Sequence, residues 1–424
     1  MTDTIYALSS GQVPAGVAVI RLSGPGAFPA LSTITNRQEL PPPRTAMLRS
    51  IYKNAAQQVI DRALIIIFPG PRSFTGEDVV EIHCHGSPAV VIAVQQLLGS
   101  LDGLRPAEPG EFTRRAFETG RIDLTQAEAL SDLLAAETEA QRDQAISNAG
   151  GRLREQADTW RERIIALMAD VEADLDFSDE GDVETARDRP DLDDLVREIE
   201  QALASAPIGE RIRSGLTIAI IGPPNSGKSS LVNILSRRDV AIVTPHAGTT
   251  RDIIEVRLDL GGIPATLLDT AGLRETSDPI EREGIARGRA RAAEADLILD
   301  MGDTGGDLKI INKIDLSGER PGIRGDAAWI SATTGAGLPE LEQWLIDRAQ
   351  QHIPEGEPPL VSHARQAHWL AETLKALREA RLEEDIVLRA EALRKAGHAL
   401  GRLTGRIDPE SVLDMVFSRF CIGK

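Results

Sequence analysis

A buried strand that runs directly into a glycine-rich loop is the feature that most constrains how this chain can fold. Leu216–Ile221 is apolar and leads into Gly222–Ser229, whose sequence is GPPNSGKS. Glycines let main-chain N–H groups converge on phosphate oxygens, and a following helix adds its N-terminal dipole. We expect Lys228 to reach the β and γ phosphates of a nucleotide and Ser229 to ligate Mg²⁺. The sequence therefore predicts a P-loop within a parallel α/β domain.

Three more motifs follow this loop in the order that a guanine-nucleotide site requires. Asp269–Gly272 (DTAG) can hold the Mg²⁺ shell and sense the γ-phosphate, and Asn312–Asp315 (NKID) follows another apolar strand. The Asp315 carboxylate can accept both guanine N–H groups, which adenine does not offer. Ser331–Thr333 would form the turn behind the base. The expected nucleotide contacts are Asn225, Ser226, Gly227, Lys228, Ser229, Ser230, Thr244, Thr249, Thr250, Asp269, Thr270, Ala271, Gly272, Asn312, Lys313, Asp315, Ser331 and Ala332.

The residue after the DTAG motif raises the question of how GTP would be hydrolysed. Many small GTPases place a glutamine there to orient the attacking water, but this chain has Leu273, which cannot do so. A cation and a polar group must therefore come from elsewhere. Asn225 either ligates a monovalent cation or only stabilises its turn. Glu281 either acts on the water or is a helix N-terminal acid favoured by the dipole.

Helical periodicity flanks the α/β segment on both sides. Between Thr125 and Ser178, and again after the linker 354–359, apolar residues recur at spacings of three, four and seven. A bundle needs both halves to bury its apolar faces, so we expect an insertion; two unrelated helical segments are the alternative. The predicted multidomain α/β and α architecture has an N-terminal α+β domain (1–118), a discontinuous helical domain (119–212 and 354–424) and an inserted P-loop GTPase (Ras-like) α/β domain (213–353).

Charge and cysteine content limit the function classes. The formal net charge of −18 argues against a protein that coats nucleic acid through its own field, although a local basic patch or a basic partner stays open. No apolar run reaches the roughly 18 residues that span a bilayer, and Met1–Leu8 lacks the pattern of a signal peptide. Two cysteines, Cys84 and Cys421, cannot form a disulfide framework. We expect a cytoplasmic protein without membrane contact.

Four stretches carry a resemblance to a known family. Phe74–Val79 (FTGEDV), Pro109–Thr113 (PGEFT), Asp269–Glu275 and Cys421–Lys424 (CIGK) resemble the tRNA modification GTPase MnmE (TrmE) family, and the similarity runs from Asp3 to Lys424. A generic GTPase would share only the third stretch. The resemblance implies an N-terminal domain that binds folate and dimerises, and K⁺-stimulated GTP hydrolysis in which G domains pair across a homodimer.

The resemblance also assigns roles to individual residues. It implies K⁺ ligands at Asn225, Thr244, His246 and Thr249, Mg²⁺ ligands at Ser229 and Thr250, catalytic residues Lys228 and Glu281, and folate contacts at Arg21, Glu81, Arg121 and Lys424. Cys421 is either a packed or a reactive thiol, and the resemblance favours a catalytic role. Glu81 could read the amide-like edge of a pterin. His83 and His85 share its strand face, but no third metal ligand is evident.

The implied reaction needs a partner. The resemblance implies a heterotetramer with the flavoprotein MnmG (GidA), which would bind most of the tRNA. Together they would add an aminomethyl or carboxymethylaminomethyl group to C5 of the wobble uridine of certain tRNAs. The carbon would come from a tetrahydrofolate derivative, 5-formyl- or methylene-tetrahydrofolate. The alternatives are an RNA-binding switch GTPase of the ribosome assembly type and a one-carbon transferase with a merely regulatory G domain.

One segment departs from the family pattern. Leu297–Met301 and Leu308–Ile311 look like adjacent parallel strands, yet only Gly302–Asp307 joins them. A parallel crossover usually takes a dozen or more residues and a helix, and the family usually has a longer segment here. We therefore expect the G domain to lack one helix.

Overall fold

A computed structural model describes residues 3–53, 58–176, 190–238, 240–242, 255–269, 295–353, 356–407, 413, 416–417 and 420–423. The chain divides into two compact units, one formed by its first 131 residues with those after 400, and the other by Asp132–Leu400. This division does not separate the helical from the α/β part, so the domain bounds at 118, 212 and 353 stay predictions. In the described part, none of the helices is long and apolar enough to cross a bilayer.

The first unit contains a six-stranded sheet in the order β3-β4-β5-β2-β1-β6. All neighbours are antiparallel except β1 and β6, which are parallel. The elements are β1 (Thr4–Leu8), β2 (Ala15–Ser23), α1 (Ala27–Thr35), β3 (Met47–Tyr52), β4 (Val59–Phe68), β5 (Val79–Gly86), α2 (Pro88–Gly99), β6 (Leu104–Pro106), α3 (Glu111–Glu118) and α4 (Leu124–Ala135).

The two faces of this sheet differ. One face packs against α1 and α2 through buried residues such as Ile20, Ile82 and Leu98. On the other face Leu48 pairs with Leu64, Leu64 with His83, and His83 with Val19. Leu48 and Leu64 are 56% and 45% exposed. We call this side, with its row of aliphatic residues, the open face of the sheet.

The second unit contains a seven-stranded sheet in the order β12-β13-β11-β10-β7-β9-β8. Its five inner strands are parallel and its two edge strands are antiparallel to their neighbours. The elements are α5 (Glu139–Ala149), α6 (Arg152–Asp176), α7 (Pro190–Ala204), α8 (Ala206–Ser214), β7 (Leu216–Ile221), α9 (Lys228–Leu235), β8 (Glu255–Asp259), β9 (Pro264–Asp269), β10 (Leu297–Asp300), β11 (Leu308–Ile311), α10 (Ile314–Ser317), β12 (Gly322–Arg324), β13 (Ala327–Trp329), α11 (Leu338–His352), α12 (Ala364–Leu382) and α13 (Ile386–Leu403).

Helices from both sides of the α/β segment pack together. Arg378 of α12 forms a 2.7 Å ion pair with Glu200 of α7, and Arg213 donates to the carbonyl oxygen of Ser362. The α7 and α12 helices are in extensive contact. The expected insertion of an α/β domain into a discontinuous helical domain is therefore confirmed, because each helical part buries its apolar face against the other.

The short connection between β10 and β11 forms a turn. The two strands are parallel neighbours, with Leu299 opposite Leu308 and Asp300 opposite Lys309. Residues 301–307 join them without a helix. The sheet thus lacks a crossover helix at this point, as the sequence predicted.

Candidate functional site

The phosphate-binding loop lies between β7 and α9, at the carboxyl end of an inner strand of the sheet. Asn225 adopts a left-handed φ of 62° in this loop. Lys228 is 7% exposed, and its Nζ donates 2.8 Å hydrogen bonds to the carbonyl oxygens of Gly222 and Pro223. Ser229 and Ser230 occupy the next positions in the first turn of α9. The lysine is therefore held inside the loop, where it can meet the phosphates.

Asn312 ties the phosphate loop to the loop that would hold the base. Its Nδ2 donates to the carbonyl oxygen of Ser226 at 3.0 Å, and its Oδ1 accepts from the Ala332 N–H at 3.0 Å. Lys313 Nζ donates to the carbonyl oxygen of Asn225 at 2.8 Å. Residues that are 86 and 88 positions apart in the sequence thus form one hydrogen-bonded surface, as a single nucleotide site requires.

Asp315 is exposed and stands at the base end of this surface. The Ser331 hydroxyl donates to Asp315 Oδ1, and the same hydroxyl oxygen accepts from the Thr334 N–H at 3.1 Å. A carboxylate that is oriented in this way can accept two parallel N–H groups from a planar ligand. The arrangement has the chemistry to select guanine.

Several predicted site residues lie outside the described residues. On the phosphate side, β9 pairs with β7 in parallel, and Asp269 is opposite Ile220. The side chain of Asp269 is among those outside the described part. The other residues singled out by the sequence that lie outside the described part are Thr244, His246, Thr249, Thr250, Thr270, Ala271, Gly272, Leu273, Glu281 and Lys424. Their predicted roles stay predictions.

A second candidate site lies on the open face of the first unit's sheet. Arg21 of β2 is opposite Glu81 of β5, and its guanidinium donates to Glu81 Oε1 at 2.9 and 3.1 Å. His83 Nε2 lies 3.2 Å from Glu81 Oε2. The Arg21 guanidinium carbon is 5.9 Å from the centre of the Phe74 ring and 5.7 Å from that of Phe112. The site therefore combines a carboxylate, a cation and two aromatic rings.

The motif residues of the first unit converge near this site. Phe74 belongs to FTGEDV and Phe112 to PGEFT, and the Arg121 side chain passes close to Gly76 of the first motif. Ile422, next to the exposed Cys421, forms a β-bridge with Pro109 of the second motif. The two phenyl rings were not predicted as site residues, although each is the aromatic residue of a family-specific motif.

A buried ion-pair cluster also holds the two motifs together. Arg115 is 3% exposed and contacts Glu77 of FTGEDV at 3.2 Å and Glu111 of PGEFT at 3.0 Å. Its third partner is Asp3 at 3.0 Å. Burial raises the pKa of Glu111, but hydrogen bonds from Arg105, the Glu108 N–H and Arg115 outweigh it, so the pKa lies below its usual value. No local motif indicates this cluster, because its members are dispersed along the sequence.

The histidines and the buried cysteine fit structural roles. His85 Nδ1 lies 2.7 Å from Asp61 Oδ1, and in the described part of the chain no three metal-ligating side chains form a group. Burial raises the pKa of the Cys84 thiol to about 11, so this cysteine stays protonated at neutral pH.

Comparison with known proteins identifies the family of this chain. Residues 4–121 match the family described as the N-terminus of GTP-binding protein TrmE, and residues 124–421 match the MnmE helical domain. The tRNA modification GTPase MnmE of Rhodopseudomonas palustris (strain BisB5) is 49% identical over 459 aligned residues, covering 100% of this chain and 99% of that protein. The MnmE of Bradyrhizobium sp. (strain BTAi1) is 48% identical over 443 residues, with the same coverage.

Both alignments are longer than the 424 residues of this chain, so the relatives contain residues that it lacks. Among solved structures, Era of Aquifex aeolicus bound to GDP and aluminium fluoride shares 26% identity over 40% of this chain and 69% of that one, with a TM-score of 0.25. The two family matches and the full-length identity to curated relatives show that the chain belongs to the tRNA modification GTPase MnmE (TrmE) family.

Proposed function

We propose that this chain, a GTPase of tRNA modification, couples GTP hydrolysis to the addition of an aminomethyl or carboxymethylaminomethyl group to C5 of the wobble uridine. A flavoprotein of the MnmG (GidA) type would share the reaction, and a tetrahydrofolate derivative would supply the carbon. The observation that carries the nucleotide part is the bridge that Asn312 forms between the phosphate loop and the base loop. This bridge brings Lys228 and Asp315 into one site. The site thus offers a cation at its phosphate end and a carboxylate acceptor at its base end.

At the phosphate end, residues of the loop would bind and neutralise GTP. Lys228 would transfer its N–H donors from loop carbonyls to phosphate oxygens, and the Ser229 hydroxyl with Thr250 would hold Mg²⁺. The exposed Asn225 amide oxygen is a hard ligand that suits K⁺, together with Thr244, His246 and Thr249. Both cations, when bound, supply positive charge for the phosphate oxygens in the transition state. Glu281 would orient the attacking water, since Leu273 cannot.

The Arg21 and Glu81 site supports folate binding. A pterin is a flat heterocycle with a donor edge, which matches a carboxylate paired with an arginine that lies near two aromatic rings. On binding, Glu81 would accept from the pterin edge while the hydrogen bonds from Arg21 hold the carboxylate in place. Arg121 and Lys424 would hold the anionic glutamate tail. Cys421, exposed beside the bridge between Ile422 and Pro109, would act as a reactive thiol.

The open face of the sheet supports a homodimer. Its exposed Leu48 and Leu64 are joined by Val17 of β2, which is 56% exposed. Aliphatic side chains clustered on one sheet face are typical of an interface, and a two-fold dimer would bury the same patch on both subunits. The folate site lies on this same face, so dimerisation would also shield it from water.

The net charge of the chain supports tRNA binding mainly by the partner protein. A net charge of −18 repels a polyanion over most of the surface. The tRNA would therefore be bound largely by the flavoprotein partner, in a heterotetramer. We propose that this assembly works in the cytoplasm.

The decisive experiment measures GTP turnover by the purified chain in K⁺, with and without the flavoprotein, alongside wobble-uridine modification. The wild type should hydrolyse GTP faster when the partner is present. Lys228→Ala should abolish turnover and modification together. If modification continues undiminished in Lys228→Ala, the chain is instead a one-carbon transferase whose G domain is regulatory.

A further inference from the structure

The short connection between β10 and β11 lies against the phosphate loop. The Met301 N–H donates to the carbonyl oxygen of Ile221 at 2.8 Å, and Ser226 Oγ lies 4.0 Å from Met301 Sδ. A Cβ atom placed on Gly222 would lie 2.9 Å from Met301 Cβ, which is closer than van der Waals contact permits. Met301 is 8% exposed. The first residue of the connection is thus packed beneath the start of the phosphate loop.

Asp300 fixes the shape of this connection. Asp300 is 3% exposed, and its carboxylate accepts three main-chain hydrogen bonds, from Gly302 at 2.7 Å, Thr304 at 2.8 Å and Gly305 at 2.9 Å. Hydrogen bonds to an ionised acceptor are among the stronger ones in proteins. Burial raises the pKa of Asp300, but these donors outweigh it and hold the pKa below its usual value. The carboxylate therefore stays charged and keeps the turn closed at neutral pH.

We propose that Asp300 and Met301 position the phosphate loop for nucleotide binding, in place of the support that a crossover helix would give. The Asp300 carboxylate closes the turn, the closed turn presses Met301 against Gly222 and Ser226, and the loop is thereby held open to phosphates. This inference rests on the proposed GTP binding and adds two positioning residues to it. Neither residue touches the nucleotide.

The proposed effect of Asp300 and Met301 is confined to the phosphate end of the site. Asp315 and Ser331, at the base end, have no contact with the turn among those described. Loss of the Asp300 carboxylate should therefore leave the loop in its binding conformation for a smaller fraction of the time, and apparent affinity falls with that fraction. Ligands that make more phosphate contacts should therefore lose more affinity when the Asp300 carboxylate is removed.

The test compares Asp300→Ala with Asp307→Ala in the full chain. Asp307 secures the other end of the same connection, where its Oδ2 accepts from the Ile298 N–H at 2.7 Å. Calorimetry with GDP and Mg²⁺ should show about a tenfold weaker affinity for Asp300→Ala and an unchanged one for Asp307→Ala. Thermal unfolding of both variants reports how much each destabilises the domain.

Two more measurements separate positioning from general destabilisation. Competition with GMP, which lacks the β-phosphate, should show a much smaller loss than GDP in Asp300→Ala. Met301→Leu, which conserves volume, should retain GDP affinity, while Met301→Ala should weaken it. Equal losses for GDP and GMP, or wild-type GDP affinity in Asp300→Ala, would overturn the inference. If wild-type chain itself takes up no GDP, the proposed function fails instead.

Discussion

The Ser331 hydroxyl lies 2.5 Å from Asp315 Oδ1 and donates to it, which fixes the plane of the carboxylate that faces the base end of the nucleotide site. Asp315→Asn replaces one acceptor oxygen with a donor, so it can no longer accept both guanine N–H groups. We expect GTP affinity to fall about 100-fold, with a gain for xanthosine triphosphate, whose C2 carbonyl can accept from the new amide. Competition binding with both nucleotides measures this change.

Ser331→Ala is the matched variant for this prediction. It keeps the carboxylate and removes only the group that orients it, so the guanine preference should persist with a smaller loss of affinity. Unchanged selectivity in Asp315→Asn would contradict the assigned role of that residue.

Potassium dependence tests the cation role of Asn225. Replacing K⁺ with Na⁺ should slow GTP turnover by about tenfold or more, because a smaller ion is poorly matched to a shell built for K⁺. Asn225→Ala should make turnover equally slow in both salts. Steady-state phosphate release at constant ionic strength is the measurement, and equal rates of the wild type in K⁺ and Na⁺ would remove the proposal.

Glu281 is expected to act on the water and not on binding. Glu281→Ala should lower the turnover rate by about 10²–10⁴-fold while GDP and GTP affinities stay near those of the wild type. Single-turnover hydrolysis and calorimetry on the same preparation provide both values. A parallel loss of affinity would point to a structural role for this residue.

The proposed folate site can be probed with an isosteric change. Glu81→Gln removes the charge that would accept from the pterin edge and should weaken binding of 5-formyl-tetrahydrofolate about tenfold. Asp61→Asn is the control on the same sheet, since Asp61 contacts His85 and not Arg21. Fluorescence titration of the purified chain measures both. Equal folate affinity in wild type and Glu81→Gln would exclude a pterin contact at Glu81.

Acid sensitivity of the first unit should depend on its buried ion pairs. Glu111 has a folded-state pKa below its unfolded value, so its stabilising contribution is present at neutral pH and is lost as the pH falls through the folded pKa. Arg105→Ala removes the side chain whose hydrogen bond lowers this pKa most. The pH midpoint of acid unfolding, followed by circular dichroism, should therefore rise.

Arg142→Ala is the control for the acid experiment. Arg142 pairs with Glu139 and Asp143 on an exposed helix surface, where ion pairs contribute little to stability. Its acid midpoint should match that of the wild type. A matching midpoint in Arg105→Ala would show that the cluster does not govern acid stability.

Most of what could be predicted about the fold came from patterns in short stretches of adjacent residues. Leu216–Ile221 and the loop after it are read from adjacent residues, and β7 and α9 confirm the reading. The absence of a crossover helix was also predictable, because the segment between the two apolar runs is too short to contain one. Phe74 and Phe112 could not be assigned to the candidate site around Arg21 in this way, because their proximity to Arg21 depends on the tertiary structure.

The sequence by itself determined the motifs, the family and the inserted α/β domain, since each depends on residue order and on periodicity along one element. Only the tertiary structure decided which distant side chains meet. It placed Arg21 opposite Glu81 through the register of β2 and β5, and Asp300 within reach of three main-chain donors beside the phosphate loop. Sheet register and turn closure fix such distances, and neither is encoded in the spacing of a local motif.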